Sequence, residues 1–161
     1  MCDSDDLMPE IQFIEAGCDL IGVGDAICSQ IDKDSYDQYI KDRHTELIEY
    51  IHSCGASVKL HICGDITHLL ESLKDIKTDL IDLDWQVDID YAREILGNEV
   101  VLGGNINPVV VQEKSADDVF HLSKVLVEKY KDQKYLLAAG CEITLLTPQE
   151  NLISMSRATQ L

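Results

Sequence analysis

The hydrophobic positions of the chain follow two alternating patterns. Short apolar runs bounded by polar residues or glycine alternate with longer segments in which apolar residues recur every three to four positions. A buried strand produces the first pattern and an amphipathic helix the second, so the chain is predicted to alternate between strands and helices. The predicted strands are Asp19–Asp25, Ser57–Gly64, Asp79–Asp84, Val100–Asn105 and Tyr135–Cys141.

The predicted helices separate these strands. Ser35 is suited to cap one helix, and Gly17 and Gly55 are suited to end others, because glycine adopts the left-handed conformation found after helix ends. The predicted segments are Leu7–Ala16, Ser35–Ser53, Thr67–Ile76, Asp90–Leu96, Ala116–Tyr130 and a last helix after Pro148. No hairpin signal joins two strands, which predicts an α/β fold of parallel βα units. Two architectures fit this order: an open doubly wound sheet and part of an eight-stranded barrel.

Polar residues at the strand ends distinguish the two architectures. Site-type residues lie at or beside the ends of all five predicted strands, namely Asp25, Cys63, Asp84, Asn105 and Cys141. A barrel brings all its strand ends to one mouth, whereas an open sheet binds its ligand at a single switch point. The pattern therefore favours part of a (βα)8 TIM barrel, which five strands leave incomplete.

The second strand carries a candidate metal-binding pair. Alternate residues of a strand point to the same side, so Lys59, His61 and Cys63 share one face, away from the apolar residues between them. Cys141 supplies a third donor if the second and fifth strands open on the same mouth. Three protein ligands with an open fourth position are typical of a catalytic zinc site. The other histidines are expected to be surface or helix-packing residues: His44, His52, His68 and His121.

The charge of this donor set indicates a type of reaction. Zn²⁺ held by one neutral imidazole and two thiolates has no net charge. Such a site stabilises a substrate thiolate and keeps it nucleophilic, whereas activation of water generally uses His or carboxylate ligands. The predicted chemistry is therefore alkyl transfer onto the sulfur of a small thiol.

The composition limits the kinds of binding partner that we expect and indicates a cellular compartment. With 161 residues, 45% of them hydrophobic, the chain is predicted to form one domain over residues 1–161. Its 30 acidic and 13 basic residues, net charge −17, argue against nucleic-acid and membrane partners. Residues 1–6 do not resemble a signal peptide, so we expect a cytoplasmic protein with reduced cysteines. Cys18, Cys28 and Cys54 lie singly beside apolar residues and are expected in the core.

Three motifs together carry a resemblance to a known family. They are His61–Gly64 (HICG), Gly104–Pro108 (GNINP) and Gly140–Asn151 (GCEITLLTPQEN). In this order they resemble the uroporphyrinogen decarboxylase superfamily, and within it the methylcobalamin:coenzyme M methyltransferases and related corrinoid methyltransferases. The similarity runs from about Ile11 to Met155. It implies that the chain is the C-terminal five βα units of a (βα)8 barrel.

The resemblance also implies a cofactor, partners and roles for several residues. His61, Cys63 and Cys141 match the zinc ligands, and the methyl group is carried as methylcobalamin on a corrinoid protein. The implied second substrate is a small thiol or a methylated small molecule. Four further residues match the family's cleft: Asp25 and Glu142 as catalytic residues, and Asp84 and Asn105 as cofactor-binding residues.

Other functions fit part of the sequence. The superfamily also implies uroporphyrinogen decarboxylation, a reaction that needs no metal and gives the His-x-Cys pair and distant Cys no use. A truncated chain that binds a metal or a partner without catalysis is a third possibility. Because five strands would leave two unpaired edges, we expect the chain to self-associate or to be completed by another segment.

Overall fold

The computed structural model describes residues 9–160, and the side chains from residue 12 onward. Five strands form one sheet: β1 (Leu20–Asp25), β2 (Ser57–Ile62), β3 (Leu80–Leu83), β4 (Val101–Ile106) and β5 (Tyr135–Ala139). Every neighbouring pair is parallel, and the order in the sheet is the order in the chain, β1-β2-β3-β4-β5. The predicted parallel βα arrangement is therefore confirmed.

Helices connect the strands and cover one face of the sheet. They are α1 (Pro9–Glu15), α2 (Lys33–Tyr39), α3 (Lys41–Ser53), α4 (Leu70–Lys74), α5 (Ile89–Leu96), α6 (Pro108–Glu113), α7 (Ala116–Tyr130) and α8 (Gln149–Ala158), with short 3-10 turns at Cys28–Gln30 and Thr67–Leu69. The predicted start of the first helix, Leu7 and Met8, lies outside the described residues. Within residues 9–160 no helix has the length and apolar character that crossing a membrane requires.

Two local predictions were wrong. The predicted helix Ser35–Ser53 is two helices that meet at Ile40. Asp32 caps the first of them, and its carboxylate accepts hydrogen bonds from the Ser35 amide (2.8 Å) and hydroxyl (3.0 Å). Helix α6 was not predicted, although Asn107 caps it by accepting from the Val109 amide at 2.9 Å. An Asn-Pro pair at a helix start is the signal that could have found α6.

The apolar core lies between the sheet and the helices. Val58, Leu60 and Ile62 of β2 are buried there against Ile48 and Ile51 of α3, as their alternation with polar residues predicts. Burying each of these side chains contributes about 1.5–3 kcal/mol before the conformational entropy of ordering is subtracted. Truncation of Leu60 to alanine is therefore expected to cost about 2–5 kcal/mol.

The other face of the sheet is open. Lys59 and His61 of β2 point to it and are only partly buried. Leu20 on β1 and Leu136 on β5 lie on the two outer strands and are 46% and 48% exposed. In the described chain β1 and β5 each pair on one side only. Five consecutive βα units with an unclosed sheet are what part of a (βα)8 barrel presents.

The cysteines differ in their surroundings. All five described cysteines are free thiols. Cys28 is buried, as expected for a core residue, whereas Cys18 is exposed and Cys54 is half-buried. The core prediction is therefore correct for Cys28 and wrong for Cys18.

Candidate metal centre

The carboxyl ends of the strands bring the three predicted metal donors together. His61 is the last inward-facing residue of β2, and Cys63 follows directly after the strand. The Cys63 amide donates to the carbonyl of Asp25 at 3.3 Å, which ties the chain after β2 to the end of β1. The imidazole and the thiol therefore project from one strand end at a spacing that the sheet fixes.

Hydrogen bonding determines which nitrogen of His61 is available to a metal. Its Nδ1 lies 3.0 Å from the backbone carbonyl oxygen of Asp82, which can only accept. Nδ1 therefore carries the proton, and Nε2 presents its lone pair on the side of Cys63, whose Sγ lies 3.3 Å away. A backbone partner on the opposite ring nitrogen is a common way to orient a metal-binding histidine.

Cys141 completes the group. Its Sγ lies 3.8 Å from the Sγ of Cys63, and the donor atoms of His61, Cys63 and Cys141 all lie within 4.8 Å of one another. Two thiolates on a tetrahedral zinc, with bonds of about 2.3 Å, are separated by about 3.8 Å. The donor set therefore fits a zinc ion. No other group of three or more such residues with metal-binding spacing occurs in the described part of the chain.

The closeness of the two sulfurs depends on the curvature of the sheet. β2 and β5 are separated by β3 and β4. In a flat sheet three strand spacings amount to about 14 Å, too far for the two cysteine side chains to meet. The 3.8 Å separation of the sulfurs therefore requires a sheet that curves around the site, as in a barrel.

Gly140 allows Cys141 to approach the end of β3. A Cβ atom at this position would overlap the backbone nitrogen of Trp85 and come within 3.0 Å of the carbonyl carbon of Asp84. The Gly140 amide donates to the carbonyl of Ile106 at 2.7 Å, which continues the pairing of β4 with β5. The absence of a side chain at Gly140 is therefore a condition for the position of Cys141.

The Cys63 thiol is held in the neutral form when no metal is bound. Burial raises the pKa of the Cys63 thiol, and the hydrogen bond and charge of Cys141 and the charge of Asp84 raise it further. Because a metal binds the thiolate, metal binding would release protons here and would weaken as the pH falls.

A cavity of about 500 Å³ opens beside the donors on the inner face. Lys59, Asp82 and Glu142 line it together with His61 and Cys141. The Lys59 ammonium lies 3.2 Å from the Asp82 carboxylate, so the cavity has an ion pair next to the imidazole. Asp82 was not predicted as a site residue. Its signal is its position on β3, two residues before Asp84, which was predicted to end that strand; this spacing places Asp82 on the same face.

Asp25 lies at the end of β1, but its carboxylate is engaged locally. It accepts from the amides of Ile27 (2.9 Å) and Cys28 (3.1 Å) and lies 3.4 Å from Nε2 of His44. Burial acts to raise the pKa of Asp25, but hydrogen bonds from the Cys28 thiol and both amides, with the charge of His44, leave it below its ordinary value. Burial, together with the hydrogen bond to this carboxylate and its charge, raises the pKa of the Cys28 thiol to about 12.

His44 links Asp25 to the core. Its Nδ1 lies 2.9 Å from the hydroxyl of Tyr36, which is fully buried. Burial lowers the pKa of His44, although the charge of Asp25 opposes the shift. The Asp25 carboxylate favours a proton on the nitrogen that faces it, Nε2, and Nδ1 then accepts from the hydroxyl of Tyr36. His44 is thus a helix-packing residue, as expected, but one with two polar partners.

Asp84 and Asn105 also have protein partners. The Oδ2 atom of Asp84 accepts from the Gly64 amide at 2.7 Å, and the side chain is only 4% exposed. The Nδ2 atom of Asn105 donates to the carbonyl of Val87 at 2.7 Å. Both residues lie at the predicted end of the sheet, and Glu142 is the one of the four matched cleft residues that lines the cavity.

Comparison with known proteins shows the family to which the chain belongs. The profile of the family described as Uroporphyrinogen decarboxylase (URO-D) matches residues 10–160. The methylcobamide:CoM methyltransferase MtbA of Methanosarcina acetivorans is 28% identical over 146 residues, which cover 89% of this chain and 42% of the relative. The uroporphyrinogen decarboxylase of Geobacter sulfurreducens is 26% identical over 142 residues, which cover 88% of this chain and 42% of the relative.

A solved structure supports the fold. A methyltransferase from Methanosarcina mazei superposes with a TM-score of 0.83 at 25% sequence identity, over 94% of this chain and 44% of that one. The chain thus spans less than half the length of the relatives it matches. Its five parallel βα units correspond to part of a TIM barrel, and the chain belongs to the uroporphyrinogen decarboxylase (URO-D) family.

Proposed function

We propose that this chain provides the zinc centre of an enzyme that transfers a methyl group between a corrinoid carrier and a small thiol or another methylated small molecule. The observation that carries this proposal is the donor group of His61, Cys63 and Cys141, with its two sulfurs 3.8 Å apart. Relatives named methylcobamide:CoM methyltransferase, at 28% identity, support the same direction. The proposed methyl carrier is methylcobalamin on a corrinoid protein.

The donor set suits sulfur chemistry. His61 would bind through Nε2, and Cys63 and Cys141 would bind as thiolates. Zinc held in this way supplies a Lewis acid that lowers the pKa of a substrate thiol and leaves its sulfur nucleophilic. The methyl group would leave the cobalt of the carrier and bond to that sulfur, or pass the opposite way from a methylated substrate.

The chain's own residues would orient the reactants. The Asp82 carbonyl holds the ring of His61, and Asp82 and Lys59 form an ion pair on the cavity wall. Glu142 borders the cavity next to Cys141, and we assign to its carboxylate the role of accepting the proton that a thiol loses. We also assign Asp25 to the cleft. Its carboxylate accepts from the Ile27 amide and so fixes the turn after β1, and its backbone carbonyl accepts from the Cys63 amide.

Asn105 and Asp84 are assigned to the same cleft as residues that support its floor from behind, since Asn105 donates to the Val87 carbonyl and Asp84 accepts from the Gly64 amide. The remaining wall would come from an upstream segment, another chain or self-association, since this chain spans 42% of the relatives' length. The net charge of −17 makes nucleic acid an unfavourable partner.

A second candidate is uroporphyrinogen decarboxylation. Relatives with this name match at 23–28% identity, about as closely as the methyltransferases. The donor group favours methyl transfer, because decarboxylation gives the paired thiols no task. A non-catalytic metal-binding fragment is a third candidate, and it shares the metal site with the first.

Metal analysis with Cys63→Ser and Cys141→Ser tests the zinc site. We expect one zinc per chain in the wild type and strong loss in both variants, because each retains only two of the three donors. Cys54→Ser is the matched control, since Cys54 is a half-buried free thiol that does not belong to the donor group. Full zinc retention in both ligand variants would exclude the assignment.

Activity measurements separate the candidate reactions. The chain, with and without an upstream segment, is incubated with methylcobalamin and a panel of small thiols, and separately with uroporphyrinogen. Loss of the methylcobalamin absorbance that requires both zinc and thiol is the expected result. X-ray absorption should then show the number of sulfurs around zinc rise from two to three. Decarboxylation that persists in Cys63→Ser would favour the second candidate instead.

A further inference from the structure

Asp84 touches the chain on both sides of the metal centre. Its Oδ2 accepts from the amide of Gly64, the residue directly after Cys63, at 2.7 Å. Its main chain abuts Gly140, the residue directly before Cys141. A single residue at the end of β3 therefore contacts the neighbours of two candidate ligands that are 78 residues apart in the chain.

The contact with Gly140 leaves almost no freedom. A Cβ atom on Gly140 would come within 3.0 Å of the carbonyl carbon of Asp84 and would overlap the amide of Trp85. The carbonyl of Asp84 also accepts from the Val87 amide at 3.0 Å, which closes the turn after β3. The backbone of Asp84 is thus held from one side by its own turn and from the other by β5.

Burial of the Asp84 side chain is unfavourable for the stability of the fold. It is 4% exposed, and its Oδ1 has no hydrogen-bond partner among the described residues. A buried carboxylate with an unpaired oxygen costs free energy that an apolar residue of similar size would not. Fold stability alone therefore does not explain an aspartate here.

We propose that Asp84 is a positioning residue that sets the separation of the Cys63 and Cys141 sulfurs. Through its hydrogen bond to Gly64 it fixes the direction of the Cys63 side chain, and through its backbone contact with Gly140 it limits the approach of Cys141. This inference rests on the proposed metal centre and adds a determinant of its geometry. Asp84 itself is not a ligand and does not contact substrate.

The test uses the full chain loaded with Co²⁺, whose sulfur-to-metal charge-transfer absorption reports the number of bound thiolates. Asp84→Leu keeps the approximate size but removes the acceptor for the Gly64 amide. We expect its charge-transfer intensity to fall towards that of a single-thiolate site. Zinc affinity, measured by competition with a chromogenic chelator, should fall by about 10–100-fold, the usual effect of losing a residue that orients a ligand. Asp84→Asn retains an acceptor oxygen and should restore the two-thiolate spectrum.

Asp65→Leu is the matched control. Asp65 lies one residue after Gly64 and also accepts from a backbone amide, but that amide belongs to Thr67, at 2.9 Å, and not to Gly64. Its variant should bind Co²⁺ with the wild-type spectrum. If Asp84→Leu does not fold by circular dichroism, Gly140→Ala replaces it, because an added methyl group should push Cys141 away from the same backbone.

The outcomes separate this inference from the proposed function. A wild-type chain that binds Co²⁺ without thiolate absorption would overturn the metal centre itself. A wild type with two bound thiolates and an Asp84→Leu variant with the same spectrum and affinity would overturn only the positioning role. An Asp84→Asn variant as impaired as Asp84→Leu would also overturn it, since the charge and not the hydrogen bond to Gly64 would then matter.

Discussion

The hydroxyl of Tyr36 provides a sharp test of the buried polar chain beneath the end of β1. Tyr36→Phe removes one oxygen atom from a side chain that is 0% exposed. That oxygen lies 2.9 Å from Nδ1 of His44. The other ring nitrogen of His44, Nε2, lies 3.4 Å from the carboxylate of Asp25. Burial raises the pKa of Tyr36 well above its ordinary value, so the hydroxyl remains a donor across the accessible pH range.

The size of the effect follows from what the substitution leaves behind. Nδ1 of His44 would remain buried without a donor, and an unsatisfied buried acceptor costs about 1–3 kcal/mol. For a chain of this length each kcal/mol lowers the melting temperature by about 2–4 °C. Tyr39→Phe is the control, because Tyr39 belongs to the same helix but is 60% exposed, and its change should stay within about 0.5 kcal/mol.

Urea unfolding followed by far-UV circular dichroism measures both variants against the wild type. We expect the midpoint of Tyr36→Phe to fall clearly and that of Tyr39→Phe to stay near the wild type, with unchanged slopes. Equal unfolding free energies for the two variants would refute the reasoning, because the buried hydroxyl would then make no net contribution through His44.

Two further outcomes are expected. Because burial lowers the folded-state pKa of His44, the unfolded chain binds its proton first as the pH falls, so the unfolding free energy should decrease below the unfolded histidine pKa of about 6.5. His44→Gln should flatten this part of the pH profile, and an unchanged profile would contradict it. Light scattering should show that the isolated chain associates or aggregates through its outer strands, β1 and β5. Adding an upstream segment should give a monodisperse protein with higher methyl-transfer activity. A fully active monomer of 161 residues would contradict the partial-barrel interpretation.

Much of the fold could be predicted because its signals are local. The alternation of apolar residues in β2 places Val58, Leu60 and Ile62 in the core and His61 on the inner face, as observed. The break at Ile40 could not be read in the same way, since the apolar spacing continues across it. The start of a helix depends on which of several suitable residues occupies the N-cap position, and in α2 this residue is Asp32 and not Ser35.

In the candidate site, too, the features that a single strand determines could be predicted, and those that depend on the whole sheet could not. The spacing of His61 and Cys63 predicts that both point inward, because this is a property of a single strand. The meeting of Cys63 with Cys141 depends on the curvature of four strands, and a sequence pattern alone does not contain it. The partner of His61 is equally beyond reach from sequence, because it is the backbone carbonyl of Asp82, which any residue would supply.

The order of the strands has a consequence for how the chain assembles. Each strand pairs with the one before it in the chain, so the sheet can grow by short loop closures in sequence order. The two sulfurs are separated by 78 residues, and they meet only when β5 docks beside β4. A metal ion would then bind at the end of folding, after the sheet has formed in the absence of metal. Rapid-mixing experiments should therefore find zinc uptake following the recovery of secondary structure, so that the bound metal marks chains whose last unit has been added.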